Sequence, residues 1–235
     1  MKAKDVSLSI QQIQNPQKAA ILQRFFKTGK GEYAEGDIFS GLTVLQSRVI
    51  AKKYKDLELS EIENLLHSKI HEERLIALLI LIEHFKKNKH EQKEIFEMYL
   101  QNTKYINNWD LVDLSAPNVV GMYLADKKRN VLYELAKSHN LWEKRISILS
   151  TLAFIVKKNE YVDTFKISDI LLRDEHDLIH KAVGWMLREV GKRISQEKEE
   201  EFLKTRYKIM PRTMLRYAIE RFEEGKRKKY LRGEI

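Results

Sequence analysis

The chain has 235 residues, 43% of them hydrophobic and 33% charged, with a formal net charge of +9. This length suffices for one elongated domain or two small ones with buried cores. The sequence has no Cys, which excludes disulfides, thiolate metal sites and cysteine nucleophiles and suits a reducing compartment. Because the N-terminus lacks an apolar secretory segment and the longest apolar run, residues 75–82, is too short to span a bilayer, we expect a soluble, cytoplasmic protein without membrane contact.

Helical periodicity runs along the whole chain, and no segment alternates in the manner of a strand. Pro and Gly are scarce, at 3 and 9 residues, and the breaks between periodic segments carry cap residues such as Asn140 and Ser195. The sequence therefore predicts an all-α fold. The predicted helices cover residues 5–14, 16–27, 43–55, 60–67, 71–88, 90–101, 108–124, 128–138, 141–158, 162–173, 177–193, 195–208, 211–221 and 224–231.

The one Gly-rich stretch is residues 28–41. It lacks the Gly-Lys-Ser/Thr ending of a phosphate-binding loop and does not connect a strand to a helix. We therefore interpret it as a surface connection.

A weak internal repeat supports a repeat architecture. Residues 72–77, 143–148 and 179–184 each begin a predicted helix and place a basic residue three positions before a core-facing one. They are separated by about 35 residues or about twice that distance, which is typical of HEAT-type helical pairs. We predict an α-α superhelix (solenoid) of HEAT-like repeats forming a single domain over residues 1–235, with equivalent helix starts lining one concave face.

Three residues near helix starts form a candidate site. Trp109 and Asp113 are four residues apart and therefore lie on one helix face, and Trp185 lies in the segment 184–189 (GWMLRE). A carboxylate beside an indole face can stabilise a transient cation such as a sugar oxocarbenium ion. Core packing and helix capping use the same residue types, so the spacing alone leaves both interpretations open.

The positive charge is concentrated at one end of the chain. Residues 181–235 contain 16 Lys and Arg against 9 Asp and Glu, whereas residues 1–180 contain 27 against 25. Such an excess is typical of a surface that binds a polyanion, although solvated basic helices have the same composition. The charge distribution and the repeat geometry together favour nucleic-acid binding in a positive groove.

Four segments match one known family in order and separation: residues 41–44 (GLTV), 108–113 (NWDLVD), 141–145 (LWEKR) and 181–189 (KAVGWMLRE). From about Ala19 to Phe222, the chain resembles the DNA alkylation repair proteins of the AlkD-type glycosylase family. The resemblance implies a stack of HEAT-like helical pairs that holds duplex DNA in its concave groove. We predict that this groove binds DNA through its phosphates and is lined by Arg145, Arg188 and basic residues from Lys181 onwards.

The resemblance also implies an activity and its residues. The family releases N3- and N7-alkylated purines, such as 3-methyladenine and 7-methylguanine, by hydrolysing the N-glycosidic bond. Transferred to this sequence, it makes Asp113 the catalytic carboxylate, Trp109 and Trp185 the aromatic walls, and Arg145 a contact to the DNA backbone. The lesion is engaged from the backbone side without a base pocket, and we expect a monomer without cofactor or metal.

The chain departs from the family in two places. Relatives usually have Pro where this chain has Leu45, and the stretch 28–41 is longer than theirs. Both departures concern the N-terminal DNA contacts and not Asp113. Asp110 is a second carboxylate in the motif, and its place at a helix start favours a capping role.

Other functions are weighed against catalysis. A HEAT-repeat protein that binds bent or branched DNA without cutting it would use the same scaffold, but it has no need for Trp109, Asp113, Arg145 and Trp185 together. The basic C-terminal third disfavours a protein-binding solenoid. His176 and His180 have the i, i+4 spacing of a zinc pair, but no third ligand accompanies them.

Overall fold

The computed structural model describes all residues from 1 to 235. It consists of helices, and its one β contact is an isolated bridge between Ile38 and Ile70, so the predicted all-α class is confirmed. None of the helices combines the length and the apolar character needed to cross a membrane. The α-helices are α1 (Ala3–Gln11), α2 (Pro16–Phe25), α3 (Val44–Lys53), α4 (Leu59–Leu66), α5 (His71–Lys87), α6 (Gln92–Gln101), α7 (Trp109–Ser115), α8 (Met122–Leu124), α9 (Asn130–Ala136), α10 (Leu141–Lys158), α11 (Val162–Leu171), α12 (Asp177–Arg193), α13 (Gln196–Lys204), α14 (Arg212–Ala218) and α15 (Glu224–Arg232).

The chain divides into two compact units, Met1–Leu111 and Val112–Ile235. In the first unit α5 is the central helix, because every residue from 75 to 82 is buried. A helix that is apolar around its circumference must be covered on all sides, and α1, α3, α4 and α6 pack against it. The prediction of a single domain over residues 1–235 stays a prediction.

In the second unit the helices α10, α12 and α14 pack against one another in chain order, with α9, α11 and α13 beside them. Gly184 shows how closely α12 and α14 approach. A Cβ atom at this position would lie 2.4 Å from the backbone oxygen of Met214. Any larger residue at this position in the Gly-Trp segment would therefore push the two helices apart.

The predicted helix over 108–124 is helical from Trp109 to Leu124, but its second half contains a π-helical turn. α7 ends at Ser115, and a π-helical turn, Pro117–Gly121, precedes α8. Pro117 has no backbone N–H to continue the α-helical pattern, and the N–H of Gly121 donates instead to the carbonyl of Ala116, five residues earlier, at 2.9 Å. The α-helical pattern that carries Trp109 and Asp113 therefore ends at Ser115, whereas the helical path continues to Leu124.

The interpretation of residues 28–41 as a surface connection holds for residues 29–32, which are exposed, but is wrong for the second half of the stretch. Ala34, Asp37 and Phe39 are buried. Gly41 has φ +83°, and a Cβ atom at this position would lie 2.1 Å from the backbone oxygen of Asn15. The stretch is thus packed into the first unit, which its glycines and charged residues conceal in the sequence.

Candidate active site

The start of α7 is fixed by Asn108, which is fully buried. Its side-chain oxygen accepts a hydrogen bond from the backbone N–H of Trp109 at 2.8 Å. From this start α7 runs to Ser115, so Trp109 and Asp113 lie one turn apart on the same helix, as predicted. Helix geometry therefore directs the indole and the carboxylate to a common side.

Asp113 forms a bidentate ion pair with Arg145 of α10. The Arg145 Nε lies 2.7 Å from Oδ1, and the Arg145 Nη2 lies 2.8 Å from Oδ2. The remaining guanidinium nitrogen, Nη1, donates to the backbone carbonyl of Leu178 at the start of α12. The Arg145 side chain is only 5% exposed, whereas that of Asp113 is 21% exposed. The buried Arg145 side chain thus contacts the carboxylate from the protein interior, and part of the carboxylate stays exposed to solvent.

This pairing determines what the carboxylate can do. Two parallel hydrogen bonds fix the plane of the Asp113 carboxyl group, because the planar guanidinium has a rigid fork of donors. Because 21% of the Asp113 side chain is exposed, the carboxylate also faces solvent. The second unit therefore carries an oriented and accessible negative charge.

The resemblance assigned Arg145 to the DNA backbone, and this contact stays a prediction. Sequence reasoning missed its contact with Asp113. The signal was its position beside the core residues Ile146 and Ile148, since a buried Arg in such a segment needs a carboxylate partner.

Trp109 is half-buried in an aromatic cluster of the first unit. Its ring stacks on Phe26 with a centroid distance of 5.2 Å and an interplanar angle of 21°. The ring of Phe25 packs against it edge-on, with a centroid distance of 6.2 Å. The indole N–H donates to the hydroxyl of Tyr33 at 3.2 Å. Both the face and the N–H edge of the indole are therefore held by neighbours, which makes Trp109 a rigid aromatic surface.

Trp185 is half-buried on α12, seven residues after Leu178 and hence on the same side of that helix. Its indole N–H donates to Oε1 of Glu189, one turn later, at 3.3 Å, and Arg193 holds the other oxygen of Glu189 at 2.5 Å. Burial raises the pKa of Glu189, but the hydrogen bond and charge of Arg193 outweigh it, so this pKa lies below its usual range. Glu189 is therefore an ionised partner for the indole.

Lys181 and Arg188 flank Trp185 on the same face of α12, four residues before it and three after it. Lys181 pairs with Asp177 at 2.7 Å and keeps 39% of its side chain exposed. Arg188 pairs with Glu220 and is less accessible, at 18%. Of the two predicted DNA contacts, Lys181 is thus the better placed to reach a phosphate.

Asp110 has a partner that the sequence does not reveal. It accepts a hydrogen bond from the backbone N–H of Leu111 at 2.9 Å, and its other oxygen lies 2.9 Å from Nε2 of His71. The Nδ1 atom of His71 lies 3.3 Å from a second carboxylate, that of Asp37. Burial lowers the pKa of His71, but the charge and hydrogen bond of Asp110 and the bond to Asp37 outweigh it and raise the pKa to about 9. His71 is therefore an imidazolium held between two carboxylates.

The two histidines with zinc-pair spacing have other partners. The Nδ1 atom of His176 accepts from the backbone N–H of Leu178 at 3.1 Å, and Nε2 of His180 donates to the carbonyl of Asp174 at 2.5 Å. No group of three His, Asp or Glu side chains is arranged to hold a metal ion. In this structure both histidines form hydrogen bonds with the backbone at the start of α12.

Comparison with known proteins identifies the family to which the chain belongs. A protein-family model described as DNA alkylation repair enzyme matches residues 6–222. Among solved structures, the chain is similar to a predicted DNA alkylation repair enzyme from Enterococcus faecalis, with a TM-score of 0.69 and 18% identity over 90% of this chain and 97% of that one. This likeness confirms the predicted all-α helical-repeat fold. The comparison with curated proteins found no match. The chain belongs to the DNA alkylation repair enzyme family, which gives it a role in the repair of alkylated DNA.

Proposed function

We propose that the protein is a DNA glycosylase of base excision repair. It hydrolyses the N-glycosidic bond of cationic N3- and N7-alkylated purines, such as 3-methyladenine and 7-methylguanine, in duplex DNA. The observation that carries the proposal is the accessible Asp113 carboxylate, which is fixed by the bidentate pair with Arg145 in a chain of the alkylation repair family.

The reaction makes modest demands on the protein. Alkylation at N3 or N7 gives the purine a positive charge, so the base leaves as a neutral molecule without being protonated. The bond between C1′ and the base nitrogen breaks, and both its electrons depart with the base. The sugar becomes an oxocarbenium ion, which adds a water molecule at C1′ and loses a proton to solvent. The protein must stabilise the sugar cation and admit this water.

Asp113 and the two tryptophans meet these demands. The negative charge of Asp113 faces the developing sugar cation, and Arg145 holds it in position so that little reorganisation is needed. The indole faces of Trp109 and Trp185 line the sugar and favour its positive charge through their π electrons. Neither a cofactor nor a metal ion takes part in this scheme.

Binding of the duplex rests on phosphate contacts. Lys181 and Arg188 lie beside Trp185 on α12, so they bring positive charge to the strand whose sugar is attacked. Because the sugar and the backbone are engaged, the damaged base needs no pocket of its own. The protein acts as a monomer on double-stranded DNA.

Asp113→Asn tests the proposal. The substitution preserves shape but removes the charge that faces the sugar, so the rate of base release should fall at least a hundredfold, or about 3–4 kcal/mol. Release of 7-methylguanine and 3-methyladenine from methylated duplex DNA is measured by chromatography under single-turnover conditions. Affinity for the duplex should change little.

Asp163→Asn is the matched control. Asp163 pairs with Arg129 at 2.6 Å and is 18% exposed, much as Asp113 is with Arg145. Both variants should lose thermal stability, because each removes a carboxylate partner from an Arg, although Arg129 keeps Glu160 at 2.7 Å. Only Asp113→Asn should stop base release. An Asp113→Asn protein as active as the wild type would contradict the role of the carboxylate. A wild type that releases no base but binds duplex DNA would support the alternative of a non-catalytic HEAT-repeat protein that recognises bent or branched DNA.

A further inference from the structure

Three side chains of residues 28–41 connect to the start of α7. Tyr33 and Asp37 form hydrogen bonds with it or with the residues just before it, and Phe39 reaches it through the rings of Phe26 and His71. We call these three residues the α7 clamp. Tyr33 provides the direct contact, because its hydroxyl accepts the indole N–H of Trp109 at 3.2 Å. A surface connection has no need of contacts with the helix that carries Trp109, so these contacts require an explanation.

Asp37 anchors the clamp in the first unit. The buried carboxylate receives Arg74 Nη2 at 2.7 Å and His71 Nδ1 at 3.3 Å. It also receives the side-chain amides of Asn108 at 3.3 Å and Asn107 at 3.4 Å. A buried carboxylate is costly unless its oxygens are paired, and these donors pair both of them. Since the two asparagines directly precede α7, Asp37 fixes the backbone from which Trp109 projects.

Phe39 connects the clamp to the indole by ring contacts. It stacks on His71 with a centroid distance of 4.4 Å and on Phe26 at 5.0 Å, and Phe26 stacks in turn on Trp109 at 5.2 Å. The imidazole also faces Asp110 in the first turn of α7, at 2.9 Å. The first turn of α7 is therefore contacted by three elements. Residues 28–41 and α2 contact Trp109, and α5 contacts Asp110.

We propose that the α7 clamp sets the orientation of the Trp109 indole for the reaction and that Tyr33 is its positioning residue. Tyr33 acts through Trp109 and does not itself touch the sugar. The proposal rests on the proposed function, because it assigns Trp109 a face that must be presented to the substrate. A packing role for Tyr33 would need only its ring, whereas a positioning role needs its hydroxyl.

Tyr33→Phe separates the two roles, because it removes the hydroxyl and keeps the ring. The first readout is the indole N–H signal of Trp109 in the two-dimensional NMR spectrum. The chain has three tryptophans, so this region of the spectrum contains three such signals. Loss of the hydrogen bond should move this signal to lower proton frequency and speed its exchange with water. The signals of Trp142 and Trp185 should stay in place.

The second readout is the single-turnover rate of 7-methylguanine release, which should fall about threefold to tenfold, the range that one hydrogen bond supports. Duplex affinity should not change. Tyr54→Phe is the control, because Tyr54 is also a hydrogen-bonded tyrosine of the first unit, with its hydroxyl 2.8 Å from Ser9 and 3.0 Å from the carbonyl of Asp5. This variant should leave both the Trp109 signal and the rate unchanged.

The outcomes separate this proposal from the proposed function. An unchanged Trp109 signal in Tyr33→Phe would overturn the clamp, whatever the activity of the protein. A shifted signal with an unchanged rate would overturn its role in the reaction. If the wild type released no base, the glycosylase assignment would fail, and the NMR signal alone would still decide whether Tyr33 holds the indole.

Discussion

At the scale of single residues, the ion pair of Asp113 and Arg145 contributes both to the stability of the fold and to the orientation of the proposed catalytic carboxylate. A guanidinium that is 5% exposed is tolerated because Asp113 and the carbonyl of Leu178 together engage three of its nitrogens. The same bonds orient the carboxylate toward its exposed side. Substitution of either partner therefore affects the fold as well as the reaction, and the two effects must be measured separately.

Arg145→Lys distinguishes positioning of Asp113 from contact with the DNA backbone. A lysine keeps the positive charge but has no fork of donors, so the carboxylate would be held by one bond in place of two. We expect single-turnover base release to fall about tenfold, which is about 1.4 kcal/mol. Affinity for undamaged duplex, measured by fluorescence anisotropy, should stay near that of the wild type.

Arg129→Lys is the matched control for this prediction, since Arg129 makes a comparable pair with Asp163 at 2.6 Å. It should lose stability without losing activity. If Arg145→Lys instead weakened duplex binding and left the rate of the bound complex unaltered, the backbone contact implied by the family resemblance would be the correct role.

At the scale of elements, α7 illustrates what periodicity predicts and what it cannot. The spacing of four residues placed Trp109 and Asp113 on one helix face, because this relation depends only on local geometry. The partners of these residues are distant in sequence. Tyr33 is 76 residues from Trp109, and Arg145 is 32 residues from Asp113. Such contacts depend on tertiary packing and have no periodic signal.

The stretch 28–41 was misinterpreted for the same reason. Its glycines and charged residues are typical of exposed loops. Asp37 is nevertheless buried, because Arg74 and His71, more than 30 residues away, neutralise and pair its carboxylate. The π-helical turn after Ser115 was missed because a single Pro in a helical pattern does not reveal which hydrogen-bond pattern follows it.

His71 makes the start of α7 sensitive to pH. Its pKa is about 9 in the folded protein and about 6.5 in the unfolded chain, so the folded state binds its proton more tightly. The resulting stabilisation is complete below pH 6.5 and is lost as the pH rises through 9. Over this range the loss amounts to about 3 kcal/mol, or about 6–12 °C in Tm for a chain of this size.

Thermal unfolding of the wild type and of His71→Gln, followed by circular dichroism between pH 6 and pH 9.5, checks this prediction. The difference in Tm between the two proteins should be largest at pH 6 and should shrink as the pH rises. The difference in Tm is the informative quantity, because a second group also titrates in this range. Burial raises the pKa of Glu199 to about 9, so its ionisation lowers stability with rising pH equally in both proteins. A difference that did not vary with pH would show that His71 is not held as an imidazolium.

At the scale of the whole molecule, the count of 43 Lys and Arg residues overstates the number of cations available to a polyanion. Several basic side chains of the C-terminal part are paired with carboxylates. These pairs include Arg188 with Glu220, Arg206 with Asp169 and Lys226 with Glu200. Ion pairs of this kind have no signature in composition, so the sequence predicts the sign of the surface but not which residues are accessible.

Lys181→Gln tests whether DNA affinity depends on phosphate contacts at α12. Each cation that neutralises a phosphate releases a condensed counterion, so binding weakens linearly with the logarithm of the salt concentration. We expect the wild type to lose affinity steeply between 50 and 200 mM salt, as is general for phosphate-dominated binding. Removal of Lys181 should weaken binding to all duplexes equally and reduce the salt slope by about 1.

The control for this measurement is Lys86→Gln. Lys86 is 56% exposed and pairs with Glu83 on its own helix at 3.1 Å, as Lys181 pairs with Asp177 on α12 at 2.7 Å, but it lies on α5 in the first unit. The two substitutions remove the same charge from similar surroundings, so a general effect of net charge would appear in both. We expect only Lys181→Gln to change the slope. Equal slopes in all three proteins would mean that the α12 face does not contact the backbone and that other cations hold the DNA.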